Sequence, residues 1–430
     1  MPITPDFSLS QDDEFVHFSI ICPSVRGEDM EMDIVDNEFH FAADPYLLIL
    51  HFQHGLKDGD GCVAKYDIET GVFTASIKKE IPGEDFPELV LLSNLRPKRS
   101  NPNKIELIDR DSPLEWTEDS IDISKYGFGM GFYGMFPNMQ EIMSYIADIE
   151  NPDEVLLPYR RRYRIDRENS EYNPDLVLID LTNPFSPEFQ DLEILRKGYT
   201  SEEKKTLLSI HGKEFLMSYE TAFCSFMSIS EVVFCIVMDI LCYGKDFSCE
   251  SHWQVSKLSA TLSWFELFDS PKELFLSTVR RVLLYNVNKN FDLAKKCWDQ
   301  TILLMNEGKL GVIKALLRCY SLFEKSEHKW RLNRIYIDPM ISWIQKLEDK
   351  DYQAFMSRLI ESHKIFITKD DVSIEWCLVL LEKYAEKLTK TGEKPEITIK
   401  SDIETTKEFG NDRDDEELEF HNYTEVDINE

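Results

Sequence analysis

The amino-acid sequence predicts a multidomain chain: an antiparallel β-sandwich first, an all-α region next and an acidic tail last. Three observations carry this. Short β-prone runs crowd the first 95 or so residues, apolar residues beyond 138 recur at steps of three and four, and apolar content falls away after 391. The boundaries read as 1–95 for the sandwich, 96–125 for a linker, 126–395 for the helical domain and 396–430 for the tail.

Six or seven strands are expected in the first part. FVHFSIIC (15–22), MEMDIV (30–35), EFHFAA (38–43), YLLILHF (46–52), CVAKYDI (62–68) and VFTASIK (72–78) are divided by turn signals at Asp36-Asn37, KDGDG (57–61) and ETG (69–71). Phe39 and Phe41 alternate with Glu38, His40 and Ala42, as in a strand with one buried face. Residues 96–125 are polar, proline-bearing and aperiodic, with Trp116 their one large apolar anchor.

In the helical part, Phe291, Ala294, Trp298, Ile302 and Met305 form one apolar stripe, and Ile313, Leu316, Leu317, Tyr320 and Phe323 form the next. The intervening NEGKL makes this a helical hairpin turning at Gly308. Ser270-Pro271-Lys272-Glu273 supplies an N-cap, a first-turn proline and a capping-box acid, and Thr200-x-x-Glu203 and Asp338-Pro339 resemble it. Eight to ten helices are expected between 138 and 390. In the tail, Asp414, Asp415, Glu416, Glu417 and Glu419 lead a run of acids against only Lys400, Lys407 and Arg413, a composition that cannot bury enough surface to fold alone.

With 48 basic against 79 acidic residues the formal charge is −31, which disfavours direct nucleic-acid binding or an anionic membrane and favours a basic partner surface. Nine cysteines without a CxxC pair read as reduced thiols of the cytosol or nucleus. The amino terminus lacks a secretory pattern, and the longest apolar run, Val232 to Met238, meets Asp239 too soon to indicate a membrane span.

Gly129-x-Gly131-x-x-Gly134 has the spacing of a dinucleotide-binding loop, but its flanks fail. No β-branched strand precedes it, and Pro137 stands where the helix should run, so it reads as an aromatic and glycine loop at a domain edge. His51-x-x-His54 with Cys62 reads as ordinary sheet and turn residues, and Asp58, Asp60 and Glu69 as a hairpin turn rather than a calcium loop. YRRRYRIDRE (159–168) reads as a solvated helix whose arginines pair at i, i+4 with Asp166, Glu168 and Glu171. No HExxH, GxSxG, Walker or kinase signature is present, so no catalytic, metal or cofactor-binding residue is nominated and no cofactor is expected.

Three stretches, ESHWQVSKLSATLSWFE (250–266), RRVLLYNVNKNFDLAKKCW (280–298) and GKLGVIKALL (308–317), resemble the SHQ family of H/ACA ribonucleoprotein assembly factors. YGFG at 126, EWTED around Trp116 and the opening ITPDFSLSQDDEFV are similar to the same family. The resemblance implies a CS-type sandwich, like that of small heat-shock proteins, followed by a family-specific all-helical domain. It also implies a non-enzymatic assembly chaperone of nucleus and cytoplasm. Such a protein binds the pseudouridine synthase catalytic subunit (dyskerin-like) one to one, as a monomer, before RNA is loaded, and acts as an RNA mimic. The other reading is a general CS-domain co-chaperone of the ninety-kilodalton heat-shock chaperone.

Carried onto this chain, the resemblance nominates Trp253, Lys257, Leu258, Trp264, Phe265, Arg280, Arg281 and Tyr285 as organisers of the partner-binding helical domain. The aromatics equally fit a core, and Arg280 and Arg281 equally fit pairing with nearby acids. Asn286 stands where the family has proline after the tyrosine. The tail acids fit either competition with RNA or simple solubility.

Overall fold

The computed structural model describes residues 4–87, 89 and 124–391, apart from 24, 28–29, 36, 58–61, 68–69, 138, 184, 186, 211–214 and 216. Trp116, most of the linker and the acidic tail therefore lie outside the described residues.

Alternation in the early runs becomes two antiparallel sheets. The strands are β1 (Asp6–Gln11), β2 (Phe15–Ile21), β3 (Glu31–Val35), β4 (Glu38–Ala43), β5 (Tyr46–His51), β6 (Leu56–Lys57), β7 (Val63–Asp67) and β8 (Val72–Lys79). One sheet runs β1-β2-β8, with β6 and β7 both pairing β8; the other is the meander β3-β4-β5. In the first sheet Val16, Phe18 and Ile20 stand opposite Ile77, Ala75 and Phe73. Phe18 stacks on Phe39 at 4.1 Å and Phe41 lies 4.8 Å from Phe73, so the two inner faces close on each other as a sandwich core. All six expected runs form strands. The pattern misses β1, where polar residues dominate and Phe7 is the one buried apolar side chain, and the two-residue β6.

Fifteen α-helices follow among the described residues, in place of eight to ten. They are α1 (Gln140–Ile146), α2 (Leu157–Glu171), α3 (Pro174–Thr182), α4 (Ser201–Ser209), α5 (Tyr219–Tyr243), α6 (Ser251–Leu258), α7 (Ala260–Ser263) and α8 (Pro271–Tyr285). Then come α9 (Phe291–Asn306), α10 (Lys309–Glu324), α11 (Trp330–Leu332), α12 (Asp338–Lys346), α13 (Asp349–Lys364), α14 (Lys369–Val372) and α15 (Leu378–Thr391). The excess comes partly from one-turn pieces such as α7, α11 and α14, which are too short to show a period.

The bundle is built around α5. Its 25 residues are long and apolar enough for a bilayer, but 94% of its most apolar window is buried inside the bundle, and Asp239 continues the helix rather than ending it. α9 and α10 form the expected hairpin, and Gly308 turns it at φ 122°, a left-sided conformation that favours glycine. Trp298 of α9 is fully buried, stacks on Phe234 of α5 at 4.8 Å and donates its indole N–H to Thr278 Oγ1 at 2.8 Å. Thr200 and Glu203 complete a reciprocal capping box, and Ser270 Oγ accepts from Glu273 N, but the Glu273 carboxylate pairs with Arg161 instead of closing its box.

Asp338-Pro339 does not begin a helix. A five-residue π-helical segment, Asn333–Ile337, joins α11 to α12 without a break, so Asp338 sits inside one continuous helical run. There the Asp338 Oδ1 is buried without a hydrogen-bond partner. Burial, then neighbouring Glu324, push its carboxyl up to about 7, against the opposing pull of Arg334. A carboxyl whose folded pKa exceeds its unfolded value adds stability only while protonated, and that gain is lost as the pH rises from about 4 through about 7. Asp338→Asn, which removes the ionisation, should raise the unfolding temperature by several degrees at pH 8 and by clearly less at pH 5. Thermal unfolding at the two pH values measures this.

Candidate partner-binding face

The arginine-rich helix α2 is not solvated all round, as its sequence suggests. Its surface pairs form, Arg162 with Asp166 and Arg167 with Glu171, but Arg160, Arg164 and Glu168 make a second stripe that is buried. Burial is tolerated because the partners arrive from far along the chain. Arg160 donates to the carbonyls of Pro152, Val155 and Phe265 and to Ser124 Oγ. Arg164 Nε meets Glu266 Oε2 at 2.6 Å, and its Nη1 meets Glu168 Oε1 at 2.9 Å.

Glu168 is the centre of this cluster. Beyond Arg164, it takes Arg280 Nε at 2.6 Å and Arg281 Nη1 at 3.2 Å, both from α8. Burial alone would push its carboxyl up, but Arg164, Arg281 and Arg280 outweigh burial and hold it below the usual glutamate range. Arg281 continues to Asp148 Oδ2 at 3.0 Å, Ser263 Oγ at 2.9 Å and the Lys257 carbonyl at 2.5 Å, and Lys257 itself pairs with Asp148. Asp148 is likewise held down: burial opposes, and Arg281 and Lys257 prevail. Both acids stay ionised and fully engaged near neutral pH, so neither is poised for proton transfer.

The structure divides the eight nominated residues by layer. Leu258, Trp264 and Phe265 are core, and Phe265, at φ 52°, packs among Tyr126, Phe136 and Tyr336. Arg280 and Arg281 are buried in the ion cluster, and Arg280 also lies 4.2 Å over Trp376. Trp253, Lys257 and Tyr285 reach the surface together. Trp253 is 39% exposed, and the Lys257 ammonium lies 6.0 Å from its ring and 5.2 Å from that of Tyr285. Tyr285 is braced from below by Arg281 at 4.9 Å and donates its hydroxyl to Glu171 Oε2 at 2.6 Å. What emerges is a patch of one exposed tryptophan beside a half-buried lysine and tyrosine, seated on a buried ion cluster. Asp414, Asp415, Glu416, Glu417 and Glu419 lie outside the described residues.

Asp148 and Glu168 are the organisers of this cluster that sequence reasoning missed. The available signal was the i, i+4 series Arg160, Arg164, Glu168 on a helix with few apolar residues. The glycine loop is accounted for by its own contacts. Asp153 accepts the amides of Gly134 and Phe136 and the Tyr126 hydroxyl, filling the donors a pyrophosphate would need, and Gly127 (φ 74°) packs so closely on the Ile335 carbonyl that a Cβ would lie 2.9 Å away. His51 and His54 engage different acids, Glu38 and Glu84. Among the described residues no cluster of three or more His, Cys, Asp or Glu could hold a metal.

The family described as SHQ1 protein, Shq1 domain, matches residues 190–376, and that described as SHQ1-like, CS domain, matches residues 4–96. The chain belongs to the SHQ1 family. It is similar to the SHQ1 homolog of Xenopus tropicalis, 28% identical over 417 residues that cover 87% of this chain and 68% of that protein. It is also similar to shq1 of Schizosaccharomyces pombe, 26% identical over 445 residues that cover 88% of this chain and 96% of the relative. The family's helical match takes in α6 to α8 but starts after α2, so Asp148, Arg164 and Glu168 of the ion cluster lie ahead of it.

Removing one partner from a buried ion cluster leaves the others uncompensated. Glu168→Gln should therefore cost about 3–5 kcal/mol in denaturant unfolding, whereas Arg162→Ala, on the exposed side of the same helix, should stay within about 0.5 kcal/mol.

Proposed function

We propose that the chain is an assembly chaperone for H/ACA ribonucleoproteins, which binds the dyskerin-like pseudouridine synthase subunit before RNA loading and keeps it from stray RNA. Family membership across both the sandwich and the bundle carries this reading. The charge of −31 supports it, because an RNA-binding enzyme presents a basic surface that an acidic protein can occupy in place of RNA. On this reading Trp253, Lys257 and Tyr285 form the contact face, Arg280 and Arg281 position it from beneath, and the tail acids sharpen competition with RNA. The chain would act by occlusion, with no turnover of its own, in nucleoplasm and cytoplasm.

The test is binding of the full chain to the purified synthase subunit, with guide RNA as competitor across a salt titration. A one-to-one complex that RNA displaces and salt weakens is expected. Trp253→Ala, which removes a half-exposed ring without opening the core, should weaken binding at least about tenfold. Binding confined to residues 1–95 and directed at the heat-shock chaperone would overturn this reading in favour of a general co-chaperone.

A further inference from the structure

Asp239 interrupts the apolar run of α5, and it is fully buried. α5, α6 and α10 all pack on one another, and each brings polar side chains to their junction. α5 supplies Asp239, α6 supplies Ser251 and, one turn on along the same side, Gln254, and α10 supplies Arg318. Asp239 feels both the Ser251 hydroxyl and the Arg318 charge, and Gln254 lies beside the Cys242 thiol, one turn past Asp239 on α5.

Among the described residues, five polar atoms of this junction are buried without a hydrogen-bond partner: both Asp239 carboxylate oxygens, Gln254 Nε2, and Nε and Nη2 of Arg318. The acid and the arginine thus face each other without joining. Burial pushes the Asp239 carboxyl up to about 6, against the opposing pull of Ser251 and Arg318, so it is mostly ionised at neutral pH. A buried carboxylate and a buried guanidinium are too costly to stay unmet. Phe247 closes the outer side. It lies in the irregular loop 244–250, covers the Arg318 guanidinium at 4.1 Å and is itself 37% exposed.

The atoms of the junction select what it takes. Arg318 repels a cation, Asp239 repels an anion, and an apolar molecule would leave every orphan atom unmet. The fitting ligand is small and neutral, and it donates to the carboxylate while accepting from the guanidinium and the amide. Water does both, and at about four hydrogen bonds apiece roughly two waters would serve the five atoms.

We propose that the α5–α6–α10 junction is an internal water-binding site, in which roughly two waters join Asp239 to Arg318 and Gln254, with Phe247 as the lid through which they exchange. The core of α5 then carries its one acid through a wet contact in place of a salt bridge. This site is independent of the assembly-factor reading.

Magnetic relaxation dispersion of water oxygen, measured on the full chain, counts the waters held inside it and times their exchange. The native chain should hold roughly two more long-lived waters than the double variant Asp239→Leu with Arg318→Met, whose apolar pair replaces the site. Phe247→Ala, which removes a half-exposed ring, should keep their number and shorten their residence about tenfold. Equal numbers in the native chain and the double variant would overturn the site. If the double variant does not fold, Phe247→Ala decides alone, and an unchanged residence time would overturn the proposal. A crystal structure with Asp239 and Arg318 in direct hydrogen-bond contact would overturn it too.

Discussion

A single buried carboxylate organises the bundle. Glu168 lies between α2 and α8, and its two oxygens are taken by Arg164, Arg280 and Arg281. The desolvation cost of a buried ion is recovered only when its lone pairs are filled, and here every approach is occupied by a guanidinium whose remaining nitrogens find carbonyls or further acids. That demand fixes how α1, α2, α6 and α8 can sit relative to one another. An apolar contact tolerates sliding; a chain of forked hydrogen bonds does not.

This rigidity reaches the surface through side chains shared by both layers. Arg281 touches Glu168 and Asp148 below and the Tyr285 ring above, and Lys257 pairs with Asp148 while its ammonium faces Trp253 and Tyr285. The three side chains are thus pre-positioned, which would lower the ordering entropy spent by any partner bound there. Arg280 and Arg281, nominated for a contact surface, lie instead in the buried ion cluster.

Much of the fold was legible because its signals are local. The six strand runs, the α9–α10 hairpin and the Thr200 cap follow from alternation, period and turn chemistry within a few residues. The ion cluster was not legible, because Arg164 finds Glu266 102 positions away and Arg281 finds Asp148 133 positions away, beyond any spacing rule. Within the candidate face the helical period would have sorted some residues. Trp253 and Lys257 are four apart and share one side of α6, whereas Leu258, one residue on, is rotated into the core. Asp338-Pro339 misled for a related reason: a cap pattern marks a helix start only where the preceding turn is not already helical.

The central position of α5 has a consequence for biosynthesis. Its apolar surface is covered largely by α9 and α10, which end at Glu324, roughly eighty residues after α5 leaves the ribosome. At about 5–20 residues per second the nascent chain leaves much of this helix uncovered for about 4–16 s. Over that interval it looks to the cell like a membrane segment or an aggregation seed.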